Sequence, residues 1–234
     1  MNSTKATAHK AGVLYLVFMI VAIAGEFLFP AYIVPGDAAA TVHNIISSEF
    51  TFRISILNGF ITLLLHIFLV VVLYALFNTV DKTQALLMVL MVSIGVTVAL
   101  ANLITKFMPL VLLNNAEYLS AFTKPQLDAL ILSFLRFHSS GATITLAFWG
   151  LWLFPFGILV VKSGYFPRAL GVLLIIAGFA YLTSSVTSIA FPEHRRFLSK
   201  IMMPLYFGEV PIIFWLLIKG AKVKIMPIDS QQDA

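Results

Sequence analysis

The stretch Ile54–Phe77, ISILNGFITLLLHIFLVVVLYALF, decides the fold. It contains no Asp, Glu, Lys or Arg over 24 residues. A helix needs about 20 mostly apolar residues to cross the hydrocarbon core of a bilayer. This stretch therefore predicts a transmembrane helix.

The composition of the whole chain agrees with this prediction. Of 234 residues, 60% are hydrophobic and only 11% are charged. An average soluble domain is about 45–50% apolar and about 25% charged, and disordered chains are more polar still. These values exclude a soluble globular domain and a disordered chain, and they leave a polytopic membrane protein.

Six runs meet the length and hydropathy criterion, and none alternates polar and apolar residues as a barrel strand does. We predict an all-α protein with six transmembrane helices in one membrane domain (1–234) with a polar tail (221–234). The first run resembles a signal peptide, but it continues to Phe29 and five spans follow, so we expect it to stay uncleaved. The spans are Ala11–Phe29, Ile54–Phe77, Ala85–Lys106, Phe137–Val160, Ala169–Ala190 and Met202–Lys219.

Local signals mark helix limits in the connecting segments. The turn Pro35-Gly36-Asp37 places Asp37 as an N-cap, and one apolar face follows it, which predicts a short interfacial helix after the first span. That face is made by Ala38, Val42, Ile45 and Ile46. Thr123 and Gln126 form a capping-box pattern that predicts a helix start near Lys124. Pro109 predicts that the third helix kinks or ends near Lys106.

Three blocks of sequence resemble a known family. They are the blocks Ile33–Thr41, Gly164–Leu182 and Gly208–Gly220, which read IVPGDAAAT, GYFPRALGVLLIIAGFAYL and GEVPIIFWLLIKG. Together they resemble the bacterial membrane proteins called domain of unknown function 4386, from about His9 to Gly220. The resemblance implies a multi-span prokaryotic membrane protein, and it carries over no activity, ligand or catalytic residue.

Polar side chains concentrate in the outer half of the predicted spans, and only His66 lies near the midplane. An ionisable group within a span costs from about 3 to more than 10 kcal/mol, so it usually has a partner or a role. We predict an outward-facing polar cavity in which Glu26 and Glu209 face cationic side chains. Its candidate residues are Glu26, Arg53, Asn58, Asn102, Lys106, Arg136, His138, Ser184 and Glu209.

Three functions fit this pattern. The first is binding or transport of a small polar or amphipathic molecule, such as a lipid headgroup, and transport predicts a discontinuous helix. The alternative is a membrane-embedded enzyme that uses Glu26, Glu209 and His138, which predicts these groups within hydrogen-bond reach of one another. The second alternative is a structural or assembly partner without a ligand, whose arginines and lysines extend to lipid headgroups.

Several other kinds of site are not expected. His66, His138, Glu26 and Glu209 are ligand types for zinc or iron, but no two share a helix at metal-binding spacing, so we expect no metal and no cofactor. The net charge is +5, and the basic residues that produce it are scattered at the ends of the spans. This placement indicates contacts with anionic lipid rather than with nucleic acid. No residue is assigned a catalytic role, and the oligomeric state is not encoded in any pattern found.

Two patterns concern helix packing. Gly171, Gly178 and Ser185 recur every seven residues, which predicts a stripe of close helix contact. Trp149, Trp152 and Phe156 share one face of the fourth span. Packing of this face against lipid or a helix is the default, and a stacking wall for a ligand is the alternative.

The distribution of basic residues gives a testable topology. Loops on the side of the N-terminus hold eight Lys and Arg residues and the opposite loops hold four, or seven if Arg53, Lys106 and Arg136 at the span ends are included. We therefore expect both termini in the cytoplasm of a bacterial inner-membrane protein. Reporter fusions at Asp229 and in the loop Asn114–Ser120 should report opposite sides of the membrane. The same side for both would mean that one span has been miscounted or cleaved.

Overall fold

The computed structural model describes residues 2–29, 31–114 and 116–222, and in these ranges the chain is all-α with three short 3-10 turns and no strand. Six helical stretches are long and apolar enough to cross a membrane, as predicted. The helices are α1 (Asn2–Phe27), α2 (Ala38–Ser47), α3 (Glu49–Phe77), α4 (Lys82–Thr105), α5 (Met108–Leu112), α6 (Lys124–Leu151), α7 (Leu153–Ser163), α8 (Arg168–Ala190), α9 (Arg195–Tyr206) and α10 (Val210–Ile218).

The six spans pack as a closed ring in chain order. Helix α1 packs on α3, α3 on α4, α4 on α6 and α7, both of these on α8, α8 on α9, and α10 returns to α1. Short connections make chain neighbours antiparallel. One end of the ring, here called the distal end, therefore gathers the ends of α1, α4 and α8 and the starts of α3, α6 and α9.

Aromatic side chains fill the centre of the ring. Trp152 is 2% exposed, and its ring centre lies 6.1 Å from that of Tyr15 and 5.3 Å from that of Phe156. The imidazole of His66 lies 5.0 Å from the Trp152 ring and 4.8 Å from the Trp149 ring. The first, second and fourth spans therefore meet at the centre of the bundle through aromatic and imidazole side chains rather than through aliphatic ones.

Small residues bring the fourth and fifth spans into backbone contact. A Cβ atom on Gly171 would lie 2.5 Å from the Gly157 carbonyl oxygen, and one on Gly150 would lie 2.7 Å from the Gly178 carbonyl oxygen. The Ser185 hydroxyl donates to the Thr143 carbonyl at 2.7 Å. The predicted stripe of Gly171, Gly178 and Ser185 is therefore the line along which the two helices touch, here called the seam. On the fourth span it faces Gly157, Gly150 and Thr143, which have the same seven-residue spacing.

Three spans are interrupted. Helix α4 ends at Thr105 and α5 begins at Met108, which confirms the break predicted from Pro109. The fourth span changes from α6 to α7 at Trp152. The sixth span was expected as one helix, but a 3-10 turn over Phe207–Glu209 divides it. Each break precedes a proline, and the ring of Pro211 would clash with the carbonyl of Phe207 in a continuous helix.

The predicted helix starts at the distal end are also present. The Ala40 backbone N–H donates to Asp37 Oδ1 at 2.8 Å, which caps α2, and Val42 and Ile45 are buried beneath it. Helix α2 packs on α6. The Thr123 backbone N–H donates to Gln126 Oε1 at 2.8 Å, and α6 begins at the following residue.

The opposite end is fastened by an ion pair outside the spans. Lys162 Nζ lies 2.7 Å from Asp81 Oδ2, joining the start of α4 to the end of α7. The hydrogen bond from Lys162 lowers the pKa of the Asp81 carboxyl, and the Gln84 backbone N–H adds to the effect. Of the predicted polar tail, Ala221 is buried and the Lys222 N–H donates to the Tyr165 carbonyl, whereas residues 223–234 lie outside the described residues.

The seam predicts a large effect from one added methyl group. Gly171→Ala places its Cβ against backbone and the Val161 side chain, and overpacking of this kind costs about 1–3 kcal/mol. Gly59→Ala is a matched control, because its Cβ would meet only the end of the Leu103 side chain. Thermal unfolding in detergent should show a clearly lower midpoint for Gly171→Ala than for Gly59→Ala. Equal midpoints would show that the two spans do not approach as closely as described.

Candidate functional site

A cavity of about 460 Å³ lies at the distal end, bordered by α1, α6, α8 and α9. We call it the distal cavity. Seven of its side chains carry hydroxyl groups, and two carry charges of opposite sign. Its lining residues are Glu26, Ser139, Ala142, Thr143, Leu146, Ser184, Thr187, Ser188, Arg195, Leu198, Ser199 and Tyr206.

Helix geometry explains why hydroxyls line this cavity. Ser184 and Ser188 are one turn apart on α8, so they lie on one face. Ser185 lies on the neighbouring face and is taken up by the seam with α6. The Ser184 hydroxyl in turn accepts a hydrogen bond from the Tyr206 hydroxyl at 2.5 Å, which attaches the end of α9 to α8.

The two charged groups of the distal cavity reach it from different elements. Glu26 lies in the last turn of α1, and Arg195 is the first residue of α9. Both side chains belong to exposed residues, and neither forms an ion pair within the part of the chain that the structure describes. Lys106 is near enough to Glu26 for their charges to attract, and its ammonium lies 5.9 Å from the centre of the Phe52 ring.

A second cavity of about 310 Å³ lies deeper in the ring. We call it the aromatic cavity, because seven of its lining side chains are Tyr, Phe or Trp. Tyr206 lines both cavities. The lining residues are Tyr15, Phe18, Met19, Ala22, Ile23, Thr62, His66, Trp149, Trp152, Tyr181, Tyr206, Phe207, Glu209, Val210 and Ile213.

Glu209 lies in the aromatic cavity at the break of the sixth span. Its carboxylate accepts hydrogen bonds from the Tyr15 and Tyr181 hydroxyls, one from α1 and one from α8. We expected this carboxylate to face Arg53, Lys106 or Arg136. In the structure the partners of Glu209 are tyrosines instead of cations. Glu209 lies in the 3-10 turn that divides the sixth span, and its side chain faces the centre of the helix bundle.

The remaining predicted residues lie elsewhere, and several join helices. Asn58 Nδ2 donates to the Val21 carbonyl at 3.2 Å, which connects α3 to α1. Asn102 Nδ2 donates to the His138 carbonyl at 2.9 Å, and His138 Nδ1 lies 3.0 Å from the Asn102 carbonyl oxygen. This reciprocal pair ties α4 to α6.

Two of the predicted cations lie on the surface. Arg53 pairs with Glu49 one turn earlier on α3, with N···O at 2.7 Å and both side chains about half exposed. Arg136 is exposed on α6. The cation that lines the distal cavity is Arg195, which was not among the predicted residues, and Lys106 lies outside the lining although its charge attracts that of Glu26.

The groups proposed for an enzyme are also apart. Glu26 lines the distal cavity, Glu209 lines the aromatic cavity, and His138 is bonded to Asn102. Within residues 2–29, 31–114 and 116–222, no three His, Asp or Glu side chains gather as they would around a metal ion.

Comparison with known proteins places the chain in a family. The family model described as "Domain of unknown function (DUF4386)" matches residues 10–220. The chain belongs to this family. The resemblance seen in the three sequence blocks is thereby confirmed.

One similar protein is archaeal. It comes from Archaeoglobus fulgidus, is described as an uncharacterized protein, and is 41% identical over 76 residues. The match covers 32% of this chain and 44% of that relative, so the chain spans less than half of the relative's length. No solved structure matches the chain.

Sequence reasoning missed several residues that form the two cavities of this family member. Arg195 precedes the predicted sixth span, Met202–Lys219, although the segment Arg195–Tyr206 has an amphipathic pattern that indicates a helix of its own. Tyr15, Tyr181 and Tyr206 give no signal in the sequence, because no local pattern shows what their hydroxyl groups contact. Their role depends on which helices are neighbours, and only the ring arrangement shows that.

The distal cavity should be accessible to water. The chain contains no cysteine, so a single cysteine in place of Ser139 or Ser188 would be the one thiol present. A membrane-impermeant maleimide should label both, because thiolate forms readily in water and poorly in apolar surroundings.

Leu73→Cys and Leu174→Cys serve as controls, because both leucines are fully buried. These two should remain unlabelled until the protein is denatured. If the two serine positions resist the reagent as the leucine positions do, the distal cavity is closed to water.

Proposed function

We propose that this family member binds a small polar or amphipathic molecule in the distal cavity. One observation carries the proposal: Glu26 and Arg195, which carry opposite charges and form no ion pair among the described residues, line a cavity of about 460 Å³ together with seven hydroxyl side chains. Ligand cavities commonly measure about 300–1,000 Å³ and hold a few polar groups that fix orientation.

The lining chemistry favours a ligand with both a cationic and an anionic group. The Glu26 carboxylate accepts hydrogen bonds from an ammonium group, and the Arg195 guanidinium suits a phosphate or carboxylate because it donates two parallel bonds. Serine and threonine hydroxyls donate or accept as needed. Leu146 and Leu198 provide an apolar wall for a short hydrocarbon part. A zwitterionic lipid headgroup has this combination.

The interrupted sixth span supports transport as an extension of binding. In many transporters the substrate site lies beside a discontinuous helix. Here the break at Phe207–Glu209 borders the aromatic cavity, and the adjacent Tyr206 lines both that cavity and the distal one. A movement of α9 relative to α8 would join the two cavities.

The proposal includes the setting of the protein. We place it as one multi-pass domain in the cytoplasmic membrane, with both termini in the cytoplasm and the distal cavity opening outward, on the basis of the basic residues in its loops. The enzyme alternative is less favoured by the geometry, because Glu26, Glu209 and His138 do not converge on one position.

Ligand protection tests the proposal. In purified Ser188→Cys protein, glycerophosphoethanolamine, a soluble zwitterionic headgroup, should slow labelling by maleimide. Arg195→Gln should weaken this protection about tenfold or more, since a hydrogen bond to a charged group contributes about 1.5–3 kcal/mol.

Arg196→Gln is the matched control, because Arg196 is the adjacent arginine and does not line the distal cavity. It should leave protection unchanged. Absence of protection in the parent protein, or equal losses with Arg195→Gln and Arg196→Gln, would contradict zwitterion binding at this position.

A further inference from the structure

We propose that the aromatic cavity is a second binding site, for an amphipathic organic cation of the quaternary ammonium type. The site is separate from the distal cavity in position and in chemistry. It combines an aromatic wall, one carboxylate, an unpartnered buried histidine and an opening toward lipid.

The aromatic wall surrounds the cavity from four helices. Tyr15 and Phe18 come from α1, Trp149 from α6, Tyr181 from α8 and Tyr206 from α9. The Tyr181 and Tyr206 rings stack with centres 4.3 Å apart and planes inclined by 12°, so they form one aromatic pair in the wall of the cavity. The faces of aromatic rings attract cations, and quaternary ammonium groups are recognised by such rings elsewhere.

Glu209 is the acidic side chain among the residues that line the aromatic cavity. No Lys or Arg is among the side chains lining the cavity, and the described residues hold no ion pair to Glu209. The hydroxyls of Tyr15 and Tyr181 hold the carboxylate in place but bring no positive charge. An ionised carboxylate at this depth is costly without a counter-charge, and a bound cation supplies one.

His66 is the independent sign of a missing partner. It is 1% exposed and lines the aromatic cavity, yet neither ring nitrogen has a hydrogen-bond partner among the described residues. Buried polar side chains nearly always have one. A ligand that carries a hydroxyl or N–H group beside its cationic centre would donate a hydrogen bond to the His66 imidazole.

The opening of the cavity indicates how such a ligand enters. Ile23 on α1 is 47% exposed and Phe207 is 62% exposed, and both line the cavity. The cavity therefore reaches the surface between α1 and the sixth span, at a depth where apolar side chains face lipid. An amphipathic cation partitions into the bilayer and can enter there, whereas a metal ion would require several oxygen ligands that these residues do not gather.

The decisive comparison uses two ligands of the same shape. Benzyltrimethylammonium and neopentylbenzene differ in having a positively charged nitrogen or a neutral carbon at the branch point. Two of the three tryptophans, Trp149 and Trp152, line the cavity, so tryptophan fluorescence of the purified full chain should report binding. We expect the cation to bind about tenfold or more tightly than the neutral compound.

Variants locate the charge. Glu209→Gln should weaken binding of benzyltrimethylammonium about tenfold and leave neopentylbenzene unaffected. Glu193→Gln is the matched control, because Glu193 is exposed, pairs with His194 and is not among the residues that line the aromatic cavity. It should bind the cation as the parent does.

Three results would overturn the proposal: equal affinity for the two compounds in the parent protein, undiminished cation binding by Glu209→Gln, or an equal loss with Glu193→Gln. If Glu209→Gln does not fold, the comparison of the two compounds on the parent protein decides. These binding measurements do not depend on whether glycerophosphoethanolamine protects Ser188→Cys from maleimide. Each of the two proposed sites can therefore be refuted without refuting the other.

Discussion

The structure depends on one constraint: the backbone N–H and C=O groups of a chain with 60% hydrophobic residues must be satisfied without water. In hydrocarbon this requires helices, and the six spans satisfy it over most of their length. A helix can be interrupted only where protein or a cavity surrounds the freed groups. The breaks at Trp152 and at Phe207–Glu209 follow this rule, since both border the aromatic cavity.

The close contact between the fourth and fifth spans sets the rotation of α8 about its own axis. Gly157 and Gly171 allow the two backbones to touch, and Ser185 extends the contact to Thr143. Because α8 is held at that rotation, its next face carries Tyr181 into the aromatic cavity and Ser184 into the distal one. A small rotation of α8 at this contact would move the Ser184 hydroxyl out of the distal cavity and the Tyr181 side chain out of the aromatic cavity.

Charge is divided between the two cavities in a way that suits different ligands. The distal cavity has side chains of both charge signs among hydroxyl groups near the end of the bundle, which suits the zwitterion that we propose. The aromatic cavity holds a single carboxylate among rings and opens toward lipid. Tyr206 lines both cavities, and its side chain is bonded to Ser184 and stacked on Tyr181.

The sequence by itself determined the spans, the capped starts at Asp37 and Thr123, the break before Pro109 and the family, because hydropathy, capping and proline geometry act over a few neighbouring residues. It also placed Glu26, Ser184 and Glu209 among the polar groups of the spans. Tertiary structure alone decided their partners. Glu209 meets tyrosines and Arg53 meets Glu49, because side-chain partners depend on helix rotation and on where the sixth span breaks, and neither is encoded in a local pattern.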